Sequence, residues 1–68
     1  MSRDDKVSLG HARCLVEKPD AIEVQIDGED RPRWIPQSQV HADSDVYKLG
    51  TEGNLIVTLW WAEEKGLA

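Results

Sequence analysis

The stretch Ala21-Ile22-Glu23-Val24-Gln25-Ile26-Asp27-Gly28 decides the fold of this chain. Apolar and polar side chains alternate through it, which is the period of a half-buried antiparallel strand. The Asp27-Gly28 pair that ends it is favoured in tight hairpin turns because both residues tolerate a positive φ. We therefore predict a hairpin in which residues 31–35 return as the next strand.

Further strands are predicted on both sides of this hairpin. Residues 12–18 alternate more loosely and end at Pro19-Asp20, a turn signal. Residues 46–49 and 54–57 are predicted to form a second hairpin across a short linker that contains two glycines. The sequence thus favours a mainly β fold, either a small, bent five-stranded antiparallel sheet or an SH3-like barrel.

The C-terminal segment has the signals of a short helix. Thr58 is a suitable N-cap, and Leu59 to Lys65 follow as the helix. Gly66 stands where a left-handed residue ends a helix, and Leu67 is placed to fold back as the apolar partner of that cap. We expect this helix to close one end of the sheet.

Size and composition limit the chain to one small domain. Its 68 residues predict a flexible tail over residues 1–8 and a single β-rich domain over residues 9–68. The lone Cys14 cannot form an intramolecular disulfide, which fits a reducing compartment. Neither a signal peptide nor an apolar run of membrane-spanning length is present, so the expected location is the cytoplasm of a bacterial host cell, with no membrane partner.

The charge balance indicates the kind of partner. Thirteen acidic residues against eight basic ones give a formal charge of −5, the wrong sign for direct binding to phosphate backbones. A protein partner with a basic surface suits this balance, because complementary potentials speed association.

The segment Trp34-Ile35-Pro36-Gln37-Ser38-Gln39-Val40 forces a corner, because Pro36 fixes the backbone and removes a hydrogen-bond donor. It resembles the signature of SH3 domains in which a strand enters a 3₁₀ turn and then a last strand. The resemblance implies this local shape and an SH3-like barrel. In that family a Tyr near this Pro helps line a groove for polyproline ligands, but Gln39 stands there in this chain.

A second resemblance covers residues 12–67. The segments Trp34 to Val40, Asp43 to Val46 and Trp60 to Leu67 are similar to those of short, uncharacterised reading frames of bacteriophages and prophages. This resemblance implies a phage setting, in which a small protein acts by binding a host or phage machine.

Two groups of residues are candidates for such binding. Acidic side chains are concentrated on the predicted hairpin, at Glu17, Asp20, Glu23, Asp27, Glu29 and Asp30. They form either an ordinary solvated face or a negative strip that mimics nucleic acid. Indole rings form the second group, at Trp34, Trp60 and Trp61. Neighbouring helix residues point about 100° apart, so one of the last two is expected at the surface, unless both rings extend the core.

Catalytic and metal chemistry find little support in the sequence. His41, Asp43 and Asp45 supply too few and too mixed ligands for zinc or calcium and fit a solvated turn. Cys14 and His11 lack a third group that would orient a nucleophile and its base. We expect neither an enzyme nor a cofactor.

These observations lead to two hypotheses. The first is a binding protein that modulates a protein partner, in its most specific form an acidic, nucleic-acid-mimicking inhibitor of a host defence complex similar to anti-CRISPR proteins. The second is an accessory protein of phage DNA metabolism that stacks single strands on the tryptophans, with Arg31 and Arg33 nearby. A homodimer formed through the aromatic face is a further expectation.

Overall fold

The computed structural model describes residues 5–67 and is mainly β. Four strands form one antiparallel sheet in the order β3-β2-β1-β4, and one short helix follows at the C-terminal end. The elements are β1 (Lys6–Glu17), β2 (Ala21–Ile26), β3 (Arg33–Pro36), a 3₁₀ turn (Gln37–Gln39), β4 (Glu52–Thr58) and α1 (Leu59–Glu64). The mainly β fold with a C-terminal helix is confirmed.

The hairpin of β2 and β3 confirms the central prediction. Ile22, Val24 and Ile26 are buried, and the residues between them are half-buried on the opposite face of the sheet, called the outer face below. The connection covers residues 27–32, so β3 begins two residues later than predicted, and it starts with a turn at Asp27 and Gly28 in which Gly28 has a φ of +90°. The chain returns in register, so that Ile22 pairs with Ile35 on the buried side.

Strand β1 is longer than predicted and is the spine of the sheet. It pairs with β2 along its second half, with a register shift between Cys14 and Val16. It pairs with β4 along most of its length, with a register shift between Ser8 and His11. Residues 6–8, expected in a flexible tail, are strand residues paired with Thr58, Val57 and Ile56. The reason is apolar packing, since Val7 and Leu9 contact the core. The first four residues of the expected tail lie outside the described residues.

The second predicted hairpin is wrong, and with it the five-stranded sheet. Residues 46–49 form no strand, and β4 pairs with β1 instead. Within this loop, the backbone N–H groups of Tyr47 and Lys48 donate to Thr51 Oγ1, at 3.0 and 3.2 Å, rather than to a neighbouring strand. Across residues 5–67 the sheet is open rather than a closed barrel, although an isolated bridge joins Val40, just after the 3₁₀ turn, to Val57 of β4.

Both edges of the open sheet are protected. Along β4, His41 N donates to Ile56 O at 2.9 Å and Asp45 N donates to Asn54 O at 3.0 Å. The N–H groups of Asn54 and Ile56 donate in turn to the side chains of Asp45 and Ser44, each at 3.1 Å. The loop thus uses the backbone groups that an added strand would need.

The β3 edge is protected by proline. Gln37 N donates to Asp20 O, so residue 37 faces β2. Backbone groups alternate in direction along an antiparallel strand, so the N–H and C=O positions of residues 32, 34 and 36 face the free side of β3. Positions 32 and 36 are prolines and have no N–H. Trp34 therefore supplies the single outward donor of this strand, which is too few for stable strand addition.

The helix has the predicted caps at both ends. Thr58 Oγ1 accepts a hydrogen bond from Trp61 N at 3.4 Å. Gly66 takes a φ of +72°, and Leu67 N donates to Ala62 O at 2.7 Å, which is the long bond of a Schellman motif. Leu67 also packs on the core. None of the helices among residues 5–67 reaches the length and hydropathy required to cross a bilayer.

The core lies between the inner face of the sheet, the helix and the loop after the 3₁₀ turn. Its buried members are Ala12, Cys14, Ile22, Val24, Ile26, Ile35, Val46, Leu55, Val57, Trp61 and Ala62. The helix Leu59–Glu64 is thereby held against the inner face. Among residues 5–67, no helix or strand packs on the outer face.

Candidate protein-binding surfaces

Large apolar side chains are exposed on β1, on β3, in the loop before β4 and on the helix. They are Leu15, Trp34, Tyr47, Leu49 and Trp60. Two of them, Trp34 and Trp60, stand beside carboxylates and define the two surfaces described below.

The first, called the hairpin surface, consists of Trp34, Glu23, Lys18 and the acidic residues at both ends of the hairpin. Trp34 is 44% exposed and lies directly opposite Glu23 in the pairing of β3 with β2. Because its neighbour Ile35 is buried, Trp34 projects from the outer face. The Lys18 ammonium lies 5.3 Å from the centre of the indole ring, within the range of a cation–π contact.

The six predicted acidic residues are spread along the hairpin, and not all of them are free to bind a partner. Glu17 and Asp20 flank the start of β2, Glu23 lies in its middle, and the other three lie in or next to the turn that follows it. Glu29 is occupied within the fold, because Arg33 Nε and Nη2 donate to its two carboxylate oxygens, both at 3.2 Å. The prediction of a single strip missed this pairing, which depends on the hairpin bringing the two residues together.

Asp27 takes part in a second contact that the sequence did not suggest. His11 lies between two carboxylates, with Nδ1 3.2 Å from Asp27 and Nε2 3.3 Å from Glu52. Arg13 also lies 3.4 Å from Glu52. These groups are about half exposed or more, so each pair contributes little to stability. Asp27 and Glu52 are therefore both in contact with other side chains of the outer face.

The second surface, called the Trp60 surface, consists of Trp60, Glu63 and Glu64 of the helix with Ser38 and Gln39 of the 3₁₀ turn. Trp60 is 57% exposed. One shallow concavity of about 440 Å³ is lined by Trp60 and the two glutamates. Another of about 440 Å³ is lined by Trp60, the two 3₁₀ residues and Thr58. The indole is thus shared by an acidic and an uncharged polar hollow.

The prediction that one of the adjacent tryptophans reaches the surface is confirmed for Trp60. Trp61, named among the binding candidates, is only 5% exposed and belongs to the core, so it has almost no surface to offer a partner. The two exposed indoles belong to different elements. Trp34 lies on the outer face of the sheet, whereas the helix that carries Trp60 packs on the inner face.

The loop that contains His41, Asp43 and Asp45 uses these side chains within the fold. His41 Nδ1 accepts a hydrogen bond from Asp43 N at 3.0 Å, and Asp45 Oδ2 accepts one from a β4 N–H. The Lys6 ammonium binds the Asp43 carboxylate and lowers its pKa. Over residues 5–67 no group of three or more His, Cys, Asp or Glu side chains is placed to hold a metal ion.

Ser44 is a structural residue that sequence reasoning missed. It is buried, and its hydroxyl oxygen accepts from Val46 N and Ile56 N, both at 3.1 Å, while its proton is directed to Val46 O at 2.9 Å. A serine in a polar stretch gives no sequence signal for this role. Cys14 is buried as expected, and desolvation raises the pKa of its thiol, which keeps it protonated and unreactive at neutral pH.

The two surfaces offer aromatic area beside carboxylates, a chemistry suited to contact with cationic groups. No protein-family model, curated protein or solved structure matches this chain. The contact chemistry of the two surfaces is thus the basis for assigning a function.

Proposed function

We propose that this chain is a non-enzymatic binding protein that docks on a basic surface of a protein partner and thereby modulates it. The observation that carries the proposal is the exposed side chain of Trp34 on the outer face, at the position that pairs with Glu23 across the two strands. Tryptophan is over-represented among residues that dominate binding energy, and a neighbouring carboxylate selects cationic partners.

Long-range attraction supports the same kind of partner. The formal charge of −5 is spread over a chain of 68 residues, so a basic surface is attracted before contact. Free nucleic acid is repelled by the same charge. The second hypothesis, in which single strands stack on Trp34, Trp60 or Trp61, has less support, because Trp61 is only 5% exposed and the net charge is negative.

In its most specific form, the proposal is that the hairpin covers the nucleic-acid-binding groove of a host defence complex. The carboxylates before, within and after β2 would take the place of phosphates along a strand of six residues, about 20 Å long. The resemblance to phage and prophage reading frames supports this choice of partner. Glu29 would contribute least, since Arg33 already occupies it.

The test is the affinity of the purified chain for a basic nuclease or CRISPR effector at increasing salt concentration. We expect the dissociation constant to rise steeply with salt, because exposed charges are screened. The double variant Glu23→Lys/Asp27→Lys is expected to weaken binding far more than Asp5→Lys/Asp43→Lys. This control makes the same charge change, with Asp43 in the loop beside β4, away from the hairpin.

Two results would contradict the proposal. An affinity that does not change with salt would remove the mimicry mechanism, and equal losses in the two double variants would show that net charge alone is responsible. Titration with single-stranded oligonucleotides at low salt is expected to leave tryptophan fluorescence unchanged. A saturable change would instead favour the nucleic-acid-binding alternative.

A further inference from the structure

We infer that the Trp60 surface is a second docking site, separate from the hairpin surface, and that its occupant is an arginine-bearing segment of a partner protein. Trp60, Glu63 and Glu64 are spaced i, i+3 and i+4, so they lie on one face of the helix. The buried neighbours Trp61 and Ala62 fix the other face against the core. The indole and both carboxylates are therefore presented together to solvent.

The charge of this surface is not balanced within the fold. Among residues 5–67, no lysine, arginine or histidine nitrogen lies within salt-bridge distance of Glu63 or Glu64. This differs from the hairpin, where Arg33 and His11 approach Glu29 and Asp27. Both carboxylates are exposed, so an incoming cation meets two negative charges that no side chain of the described residues already pairs.

Arginine suits this surface better than lysine does. Its guanidinium is planar and weakly hydrated, stacks on aromatic faces and donates in parallel to carboxylate oxygens. An indole with carboxylates three and four residues further along the helix offers both kinds of contact. On the other side of the indole, the hydroxyl of Ser38 and the amide of Gln39 line a hollow that can receive the backbone of the same segment.

The test uses the whole chain and hexa-arginine as the probe, with NMR detection of the three indole N–H signals. We expect the Trp60 signal, identified by its loss in Trp60→Phe, to shift saturably and more than the Trp34 signal. Trp60 is exposed, so Trp60→Phe is expected to fold normally. Hexalysine is expected to bind more weakly.

Charge-neutral variants provide the control. Glu63→Gln/Glu64→Gln is expected to weaken hexa-arginine binding about fivefold, as removal of two exposed ion pairs implies. Glu23→Gln/Asp27→Asn removes the same charge from the hairpin surface and is expected to leave the Trp60 shift in place.

Three outcomes would overturn the inference. They are a larger shift at Trp34 than at Trp60, equal weakening in both double variants, and equal binding of hexalysine. If the Trp60 indole N–H signal shifts with protein concentration when no peptide is present, this face binds a second copy of the chain instead. The hairpin surface has its own test, the charge reversal at Glu23 and Asp27 measured against the basic protein partner.

Discussion

Gly53 offers the sharpest test of how the loop is locked against β4. It has a φ of +144°, and a Cβ built on it would lie 2.8 Å from Asp45 Cβ and 2.9 Å from Asp45 Oδ2. These distances are below van der Waals contact, so Gly53→Ala requires the Asp45 side chain to move. Asp45 Oδ2 accepts a hydrogen bond from Asn54 N at 3.1 Å, and the movement breaks it.

The magnitude of the Gly53→Ala effect is the sum of two terms. Backbone strain at such a φ costs about 1–3 kcal/mol. Loss of a hydrogen bond to a carboxylate costs a further 1.5 kcal/mol or so. We expect a total near 3 kcal/mol, a large share of the roughly 3–10 kcal/mol that a domain of this size possesses.

Gly28→Ala is the matched control, because Gly28 has a φ of +90° and nothing within 4 Å of the new Cβ. Strain of about 1–2 kcal/mol is partly offset by the lower entropy of the unfolded chain, so we expect about 1 kcal/mol. The assay is urea denaturation followed by tryptophan fluorescence, in which Gly53→Ala should have the much lower midpoint.

A double-mutant cycle separates strain from collision. Asp45→Gly removes every atom within 3.2 Å of the new Cβ. In that background the further change Gly53→Ala should cost only the strain term, so the two effects should be strongly non-additive. Equal costs for Gly53→Ala and Gly28→Ala, or strict additivity with Asp45→Gly, would refute the reasoning.

The remaining predictions concern stability and are measured by the same denaturation assay. Ser44→Ala should cost about 2–3 kcal/mol, because it leaves two backbone N–H groups without an acceptor; a loss below about 0.5 kcal/mol would mean that water replaces the hydroxyl. Thr58→Ala should cost about 1 kcal/mol and Thr58→Ser much less, since serine keeps the capping oxygen. Burial raises the pKa of Cys14 above its ordinary 9.0, so the neutral thiol favours the folded state. This contribution is present below pH 9 and is lost as the pH rises through the folded-state value. Cys14→Ala should therefore flatten the fall in stability above pH 9, and an unchanged pH profile would contradict the burial argument.

Much of the fold was predictable because its signals are local. The alternation through β2, the Asp27-Gly28 turn and the caps at Thr58 and Gly66 each act within a few residues, and all are present in the structure. The segment Val46 to Leu49 shows where such signals fail. Its composition fits a strand, but the N–H groups of Tyr47 and Lys48 donate to the hydroxyl of Thr51, and residues 50 and 51 bind the backbone of β1.

The candidate binding surfaces were also predictable only in part. The spacing of Trp60 and Trp61 predicted that one ring is exposed, but packing against the sheet decided which one. The acidic residues of the hairpin were visible in the sequence, whereas the contacts of Arg33 with Glu29 and of His11 with Asp27 were not. Opposing charges meet only when the strands are aligned.

The sequence by itself determined the elements that depend on interactions between near neighbours, namely the hairpin of β2 and β3, the proline corner and the capped helix. Tertiary structure alone decided the strand order, the use of residues 6–8 as strand and the separation of Trp34 from Trp60. The physical reason is that these features depend on which distant apolar faces bury one another. The packing of the whole core decides which faces meet, and the alternation of apolar residues within one segment does not encode it.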